Sequence, residues 1–174
     1  MVSLTNRQLE FRTAIAGIID NVKVQQMEEI AHHIGGVTCL EHCIFVSYLS
    51  FVMCKKLRLD ATSAARGGLL HDLYLCDWSK TDVGRFKRLF IHPGMALANA
   101  NGEFAISLVE QDIIANHMWP LTISKIPHHR VSIIVSLADK ICAVMEMSGA
   151  YSRMKTRSRL TNFNHRYTGA IFAD

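Results

Sequence analysis

The stretch Gly67-Gly68-Leu69-Leu70-His71-Asp72-Leu73 puts an adjacent imidazole and carboxylate at the end of an almost wholly apolar run. An ionised carboxylate taken out of water without a partner costs several kcal/mol, so a buried Asp72 demands a cation, a charged side chain or a shifted pKa. Gly67 and Gly68 lie one turn before the His-Asp pair and would let another helix approach it closely.

Working outward, helical periodicity dominates and strand signals are nearly absent, so the fold class is all-α. The pattern predicts a helix over Leu4 to about Val22, with Phe11, Ile15, Ile18 and Ile19 on one face, and a short one over Val24 to His33 that stops at Gly35-Gly36. A long apolar helix follows over Thr38 to Leu57, and Asp60 then caps a helix over Ala61 to His71. Phe86 to Phe90 reads as a helical turn, and Pro93 as the first-turn residue of a helix running to Ala100. Ser107 to His117 and His128 to Met147 complete the set, bounded by Pro120 and Pro127. There is no internal repeat or low-complexity tract, and 174 residues suit one domain.

Three further ionisable residues fall where core side chains belong. His42 sits among Thr38, Cys39, Phe45 and Val46, His117 above Ile113 and Ile114, and Asp139 between Val135 and Cys142. A single histidine on an apolar face is commonly satisfied by one hydrogen bond. Asp139 is harder to satisfy, and Lys140 is excluded as its partner because adjacent helical residues point about 100° apart. Imidazole and carboxylate together suit zinc, manganese, iron and similar divalent ions, which would meet the needs of Asp72 and Asp139 at once. His92 precedes Pro93, which favours extended geometry and would hold the imidazole at a helix mouth. Six candidates, His42, His71, Asp72, His92, His117 and Asp139, exceed the needs of one tetrahedral ion and fit two bridged by a carboxylate.

These residues resemble the HD-domain metal-dependent phosphohydrolase superfamily over about Thr38 to Met147: "GLLHD", preceded by the histidine of "EHCIFVSYL" and followed by the aspartate of "SLADKICA". The histidines of "FIHPGMALANA" and "IIANHMWP" are similar to those of its binuclear branch, which includes symmetrical dinucleoside tetraphosphate hydrolases. The resemblance implies a helical bundle with the metal site in its core. It further implies that His42, His71, Asp72 and Asp139 hold one metal, with Asp72 bridging to a second held by His92 and His117. Iron or manganese is the usual pair in that branch, with zinc, magnesium or nickel also seen. Asp72 would then orient a metal-activated water that attacks a phosphate ester or anhydride. A departure is the run "HDLYLCDWSK", where the tetraphosphate hydrolases tend to carry a lysine close after His-Asp.

Lys140, Arg130 and His128 are candidate substrate-binding residues, the latter two at the mouth of the last helix, whose free N–H groups favour anions. Each has the alternative of a solvated surface charge. Arg66 could contact the pocket or be solvated, Trp78 and Trp119 could stack a base or pack in the core, and His32-His33 could line the site rim or serve as charges at a helix C-terminus. Forty-nine per cent apolar and 20% charged residues fit a globular protein, and a net charge of +4 suits an anionic small molecule while being too mild for nucleic acid. Much of that excess lies in the tail, with Arg153, Lys155, Arg157, Arg159 and Arg166. No apolar run reaches membrane-spanning length and the first residues lack a leader pattern, giving a cytoplasmic expectation. The five cysteines form no CxxC pair, and Cys39 and Cys43 read as core residues in a reducing compartment. Oligomeric state stays open, a homodimer included. Two other readings are a di-iron oxygenase and a metal-containing ligand-binding or regulatory module without turnover.

Overall fold

The computed structural model describes residues 6–32 and 36–150. Among these, seven α-helices follow in order: α1 (Asn6–Ile15), α2 (Val22–Gln26), α3 (Cys39–Leu57), α4 (Ala61–Leu70), α5 (Arg85–Glu103), α6 (Leu108–Asn116) and α7 (Arg130–Met147). Short 3-10 turns cover Met27–Glu29 and Trp78–Lys80, and an isolated antiparallel bridge joins Ala31 to Thr38. The all-helical expectation holds among the described residues. The predicted tail, His33, and Leu4 at the start of the first helix lie outside them.

Local chemistry sets most boundaries. The side chains of Thr38, Asp60 and Ser107 accept the backbone N–H of Glu41, Ser63 and Glu110, and the Glu110 carboxylate accepts the Ser107 N–H to close a capping box. Arg58 takes a left-handed conformation (φ 55°) and ends α3.

Four expectations need correction. The first helix stops at Ile15 rather than Val22, because Asn21 takes an N-cap conformation, accepts the Lys23 N–H and starts a new helix at Val22. That second helix stops at Gln26 and tightens into a 3-10 turn, well short of His33. Pro93 does not open a helix: α5 runs continuously from Arg85, with Pro93 inside it and His92 helical rather than extended. The cost of an interior proline is a missing N–H and ring crowding. Here the first turn is held independently, since the Arg88 guanidinium donates to the carbonyls of Val83 (2.7 Å) and Trp78 (3.1 Å). The last helix begins at Arg130, two residues later than expected, with His129 as its N-cap.

The core lies where α3 packs on α4 and α7, and α6 on α4 and α7. Ile15, Leu40, Leu69, Ile113 and Val135 are among its fully buried side chains. The two glycines do what the sequence suggested, each toward a different neighbour. A Cβ on Gly68 would lie 2.9 Å from the Ser47 Cα of α3, and one on Gly67 would lie 2.7 Å from the Ile113 Cδ1 of α6. The Ser47 hydroxyl crosses the first contact to donate to the Ala65 carbonyl at 2.6 Å. The start of α7 is tied to α6 by Asp112, whose carboxylate accepts the backbone N–H groups of His128 and His129, each at 3.0 Å.

Gly68→Ala presses a methyl group into backbone, so it should destabilise the fold by about 1–3 kcal/mol, lowering Tm by about 2–4 °C per kcal/mol. Gly67→Ala, which meets a side chain, should cost less; thermal melts of both variants decide this. Burial would raise the Asp112 pKa, but the neighbouring Ser132 hydroxyl and hydrogen bonds from His128, Asn116 and the His129 N–H outweigh it and hold it below the usual 3.8. A folded pKa below the unfolded one adds stability above the unfolded value, and that stability is lost as pH falls through the folded value. Wild type should therefore exceed Asp112→Asn in urea resistance at neutral pH, and the two should converge as pH drops below about 4.

Candidate metal centre

The site forms where three chain segments end or bend toward α7. His71 is the C-cap of α4 and His117 the C-cap of α6. Each donates its Nδ1–H to a last-turn carbonyl three residues back: Gly68 at 2.8 Å and Ile114 at 2.9 Å. An ending helix leaves such carbonyls without an intrahelical donor, so the helix end itself supplies the acceptor. His92, inside α5, donates its Nδ1–H to the Arg88 carbonyl at 2.7 Å. In the neutral form of each ring the proton on Nδ1 leaves Nε2 with a bare lone pair.

These lone pairs converge. The Nε2 atoms of His92 and His117 face each other at 2.8 Å, and both lie near Asp72 Oδ1, at 3.3 and 3.5 Å. His71 Nε2 is 3.6 Å from Asp72 Oδ2 and 3.8 Å from Asp139 Oδ1, too far to bond either. His71 Nε2 and Asp72 Oδ1 are buried without a hydrogen-bond partner. Two acceptor nitrogens at contact distance beside an unsatisfied carboxylate oxygen repel unless a positive charge lies between them. Burial and the neighbouring His71 and His92 outweigh the attraction of Asp72 and Asp139 and hold the His117 pKa well below the usual value, which opposes a proton in that role. The donor set and its orphaned atoms fit divalent metal ions. Ligand atoms of His42, His71 and Asp139 lie within 4.8 Å of one another, as do those of His71, Asp72 and His117.

The six sequence candidates are thus brought together from α3, α4, α5, α6 and α7 and their ends, all buried. His42 bonds Asp139 Oδ1 through Nε2 at 3.2 Å and Glu146 Oε1 through Nδ1 at 2.9 Å. Burial and the nearby His32 would lower the His42 pKa, but these two carboxylates prevail and push it up to about 8. Burial likewise opposes ionisation of Asp72 and Asp139; the surrounding imidazoles, and for Asp139 also Lys140, outweigh it and hold both well below the carboxylate range.

Lys140 overturns one inference: its ammonium does reach Asp139, bonding Oδ2 at 2.5 Å and the His117 carbonyl at 3.0 Å. The 100° separation governs where the side chains leave the helix, whereas the long lysine stem folds back beyond it. Arg66 neither lines the centre nor is freely solvated; it pairs with Glu110 and donates to the Ala105 carbonyl at 3.2 Å. His128 is exposed and its Nδ1 lies 2.9 Å from Asp112, while Arg130 is exposed at the first residue of α7. Asp112 accepts the backbone N–H groups of His128 and His129, so those donors of the helix mouth are taken. Trp78 and Trp119 are half-buried, the former with the Arg88 guanidinium 5.3 Å from its ring centre.

Sequence reasoning missed Glu146 and undervalued His32. Glu146 is buried, and its pKa is pushed down to about 2: burial would raise it, but the nearby His32 ring and the hydrogen bond from His42 prevail. It lies seven residues after Asp139, hence on the same face of α7, a signal that was readable. His32 lies beyond the 3-10 turn, so it is no helix-end charge; its Nε2 is 3.1 Å from Asp72 Oδ2.

Among curated proteins, the chain is similar to ribonuclease Y of Thermus thermophilus, 32% identical over 108 residues that make up 62% of this chain and 17% of that enzyme. No family model matches the chain, and neither does any solved structure. The chain therefore shares a stretch of sequence with a ribonuclease while spanning only about a sixth of that protein's length.

Proposed function

We propose that the chain is a metal-dependent phosphohydrolase of the HD superfamily, cleaving a small anionic phosphate ester or anhydride such as a nucleotide. The observation that carries this reading is the set of inward Nε2 lone pairs around the Asp72 carboxylate, a donor arrangement suited to divalent cations rather than protons. Two such cations, iron or manganese before zinc, magnesium or nickel, would supply a water acidified to hydroxide near neutral pH and neutralise charge on a phosphoryl oxygen. His42, His71, Asp72 and Asp139 would hold one, and Asp72, His92 and His117 the other.

The residues have separable roles. Asp72 presents one oxygen to each histidine group and orients the attacking water. Glu146 fixes His42 by accepting its Nδ1–H, as a supporting carboxylate does for a metal-binding imidazole. Lys140, beside Asp139, is the cation best placed to meet an outer phosphate, with Arg130 and His128 as further candidates. The similar enzyme is a ribonuclease, which makes a phosphodiester the second substrate class to test.

Protein purified without chelator should release inorganic phosphate or nucleotide from at least one of dinucleoside polyphosphates, nucleoside monophosphates, generic phosphate esters or a short RNA. Asp72→Ala should lower that rate by more than about 100-fold, beyond the loss expected for a supporting residue. Turnover that survives the substitution would belong to a contaminant and refute the assignment. Glu146→Gln should weaken metal uptake by about 10–100-fold with the fold intact, read by equilibrium dialysis and circular dichroism.

A further inference from the structure

We propose that His32 is a seventh protein ligand of this centre, joining the cation on the Oδ2 side of Asp72 and so making that side richer in protein ligands than the Oδ1 side. The inference rests on the metal-site part of the functional reading, not on the reaction assigned to it.

His32 reaches the centre from outside the helices that carry the other ligands. Its backbone N–H donates to the Val37 carbonyl at 3.0 Å, and the Cys39 N–H donates to the Ile30 carbonyl at 2.8 Å. These bonds flank the Ala31–Thr38 bridge and fold the segment back against the first turn of α3. The ring is thereby laid on that of His42, with centroids 4.1 Å apart and planes 21° from parallel.

The two stacked rings face the same groups, though only His42 comes within hydrogen-bond distance of Glu146. Each turns Nδ1 toward Glu146, at 2.9 Å from Oε1 for His42 and 3.9 Å from Oε2 for His32. Each turns Nε2 toward an aspartate of the centre, Asp139 for His42 and Asp72 for His32. Ligand atoms of His32, His42 and Asp72 lie within 4.8 Å of one another. The His32 side chain is only 10% exposed, so its ring is committed to this contact rather than to solvent.

The consequence is asymmetry. Among the described residues, His32, His42, His71 and Asp139 join Asp72 on the Oδ2 side, whereas only His92 and His117 do on the Oδ1 side. A site with three protein ligands keeps more positions for water and substrate than one with five.

The test is titration of the chelator-stripped full chain with Co2+, followed by dialysis and by visible d–d absorption, whose intensity rises as ligand number falls. His32→Gln and His32→Ala should weaken uptake of one equivalent by about 10-fold or more, leave the other unchanged, and intensify the spectrum. His117→Ala should weaken the opposite equivalent. If both His32 variants misfold, histidine-15N-labelled wild type loaded with Zn2+ decides: five metal-shifted imidazoles support the proposal and four overturn it. Folded His32 variants with unaltered uptake and spectrum also overturn it, without touching the six-ligand reading. Wild type that takes up no metal overturns both, whereas metal uptake without phosphate release refutes the hydrolase alone.

Discussion

The structure depends on one buried carboxylate. Asp72 sits at the meeting point of helix ends with imidazoles on both sides, His92 and His117 toward Oδ1 and His32 and His71 toward Oδ2. Such a group is tolerated in a protein interior only if its charge is answered from several directions. The surrounding architecture serves that need. Gly68 lets α4 lie against the α3 backbone, which brings His71 and Asp72 level with His42. Asp112 fixes the start of α7 against α6, so that Asp139 and Glu146 descend along the opposite wall.

Much of this was legible in the amino-acid order. His42, His71, His117 and Asp139 each occupy a position whose helical neighbours are apolar, so their burial follows from periodicity, and the glycine pair announced a close helix contact. His92 was found by its chemistry but misplaced in conformation, because the preference of a pre-proline residue for extended backbone is weaker than the continuity of a helix anchored ahead of it. Lys140 was misjudged because helical angles describe where a side chain begins, not where a flexible stem ends. His32 was beyond reach of periodicity: its position follows from a backbone bridge between Ala31 and Thr38, a tertiary event with no pattern of its own. Glu146 differs again, since its register with Asp139 could be read, yet charge on a helix near its end reads first as solvated surface.

The shared stretch is a minor part of ribonuclease Y, so what the two have in common is a region of sequence. The physical case for a cation centre stands apart from it, on the proton positions dictated by three backbone carbonyls. Because a carbonyl can only accept, the neutral rings of His71, His92 and His117 present a lone pair rather than an N–H inward while those bonds persist.

That two of those carbonyls belong to the closing turns of α4 and α6 has an electrostatic result. A helix carries partial negative charge at its C-terminal end. Both helices therefore point their electron-rich ends at the same spot, where Asp72 and Asp139 already concentrate negative charge. The protein scaffold there attracts cations and repels free anions, the opposite of a phosphate cradle built on helix beginnings. On the proposed reading, a phosphorylated molecule docking at this end of the bundle would arrive after positive charge has been installed, so that metal loading would gate its entry.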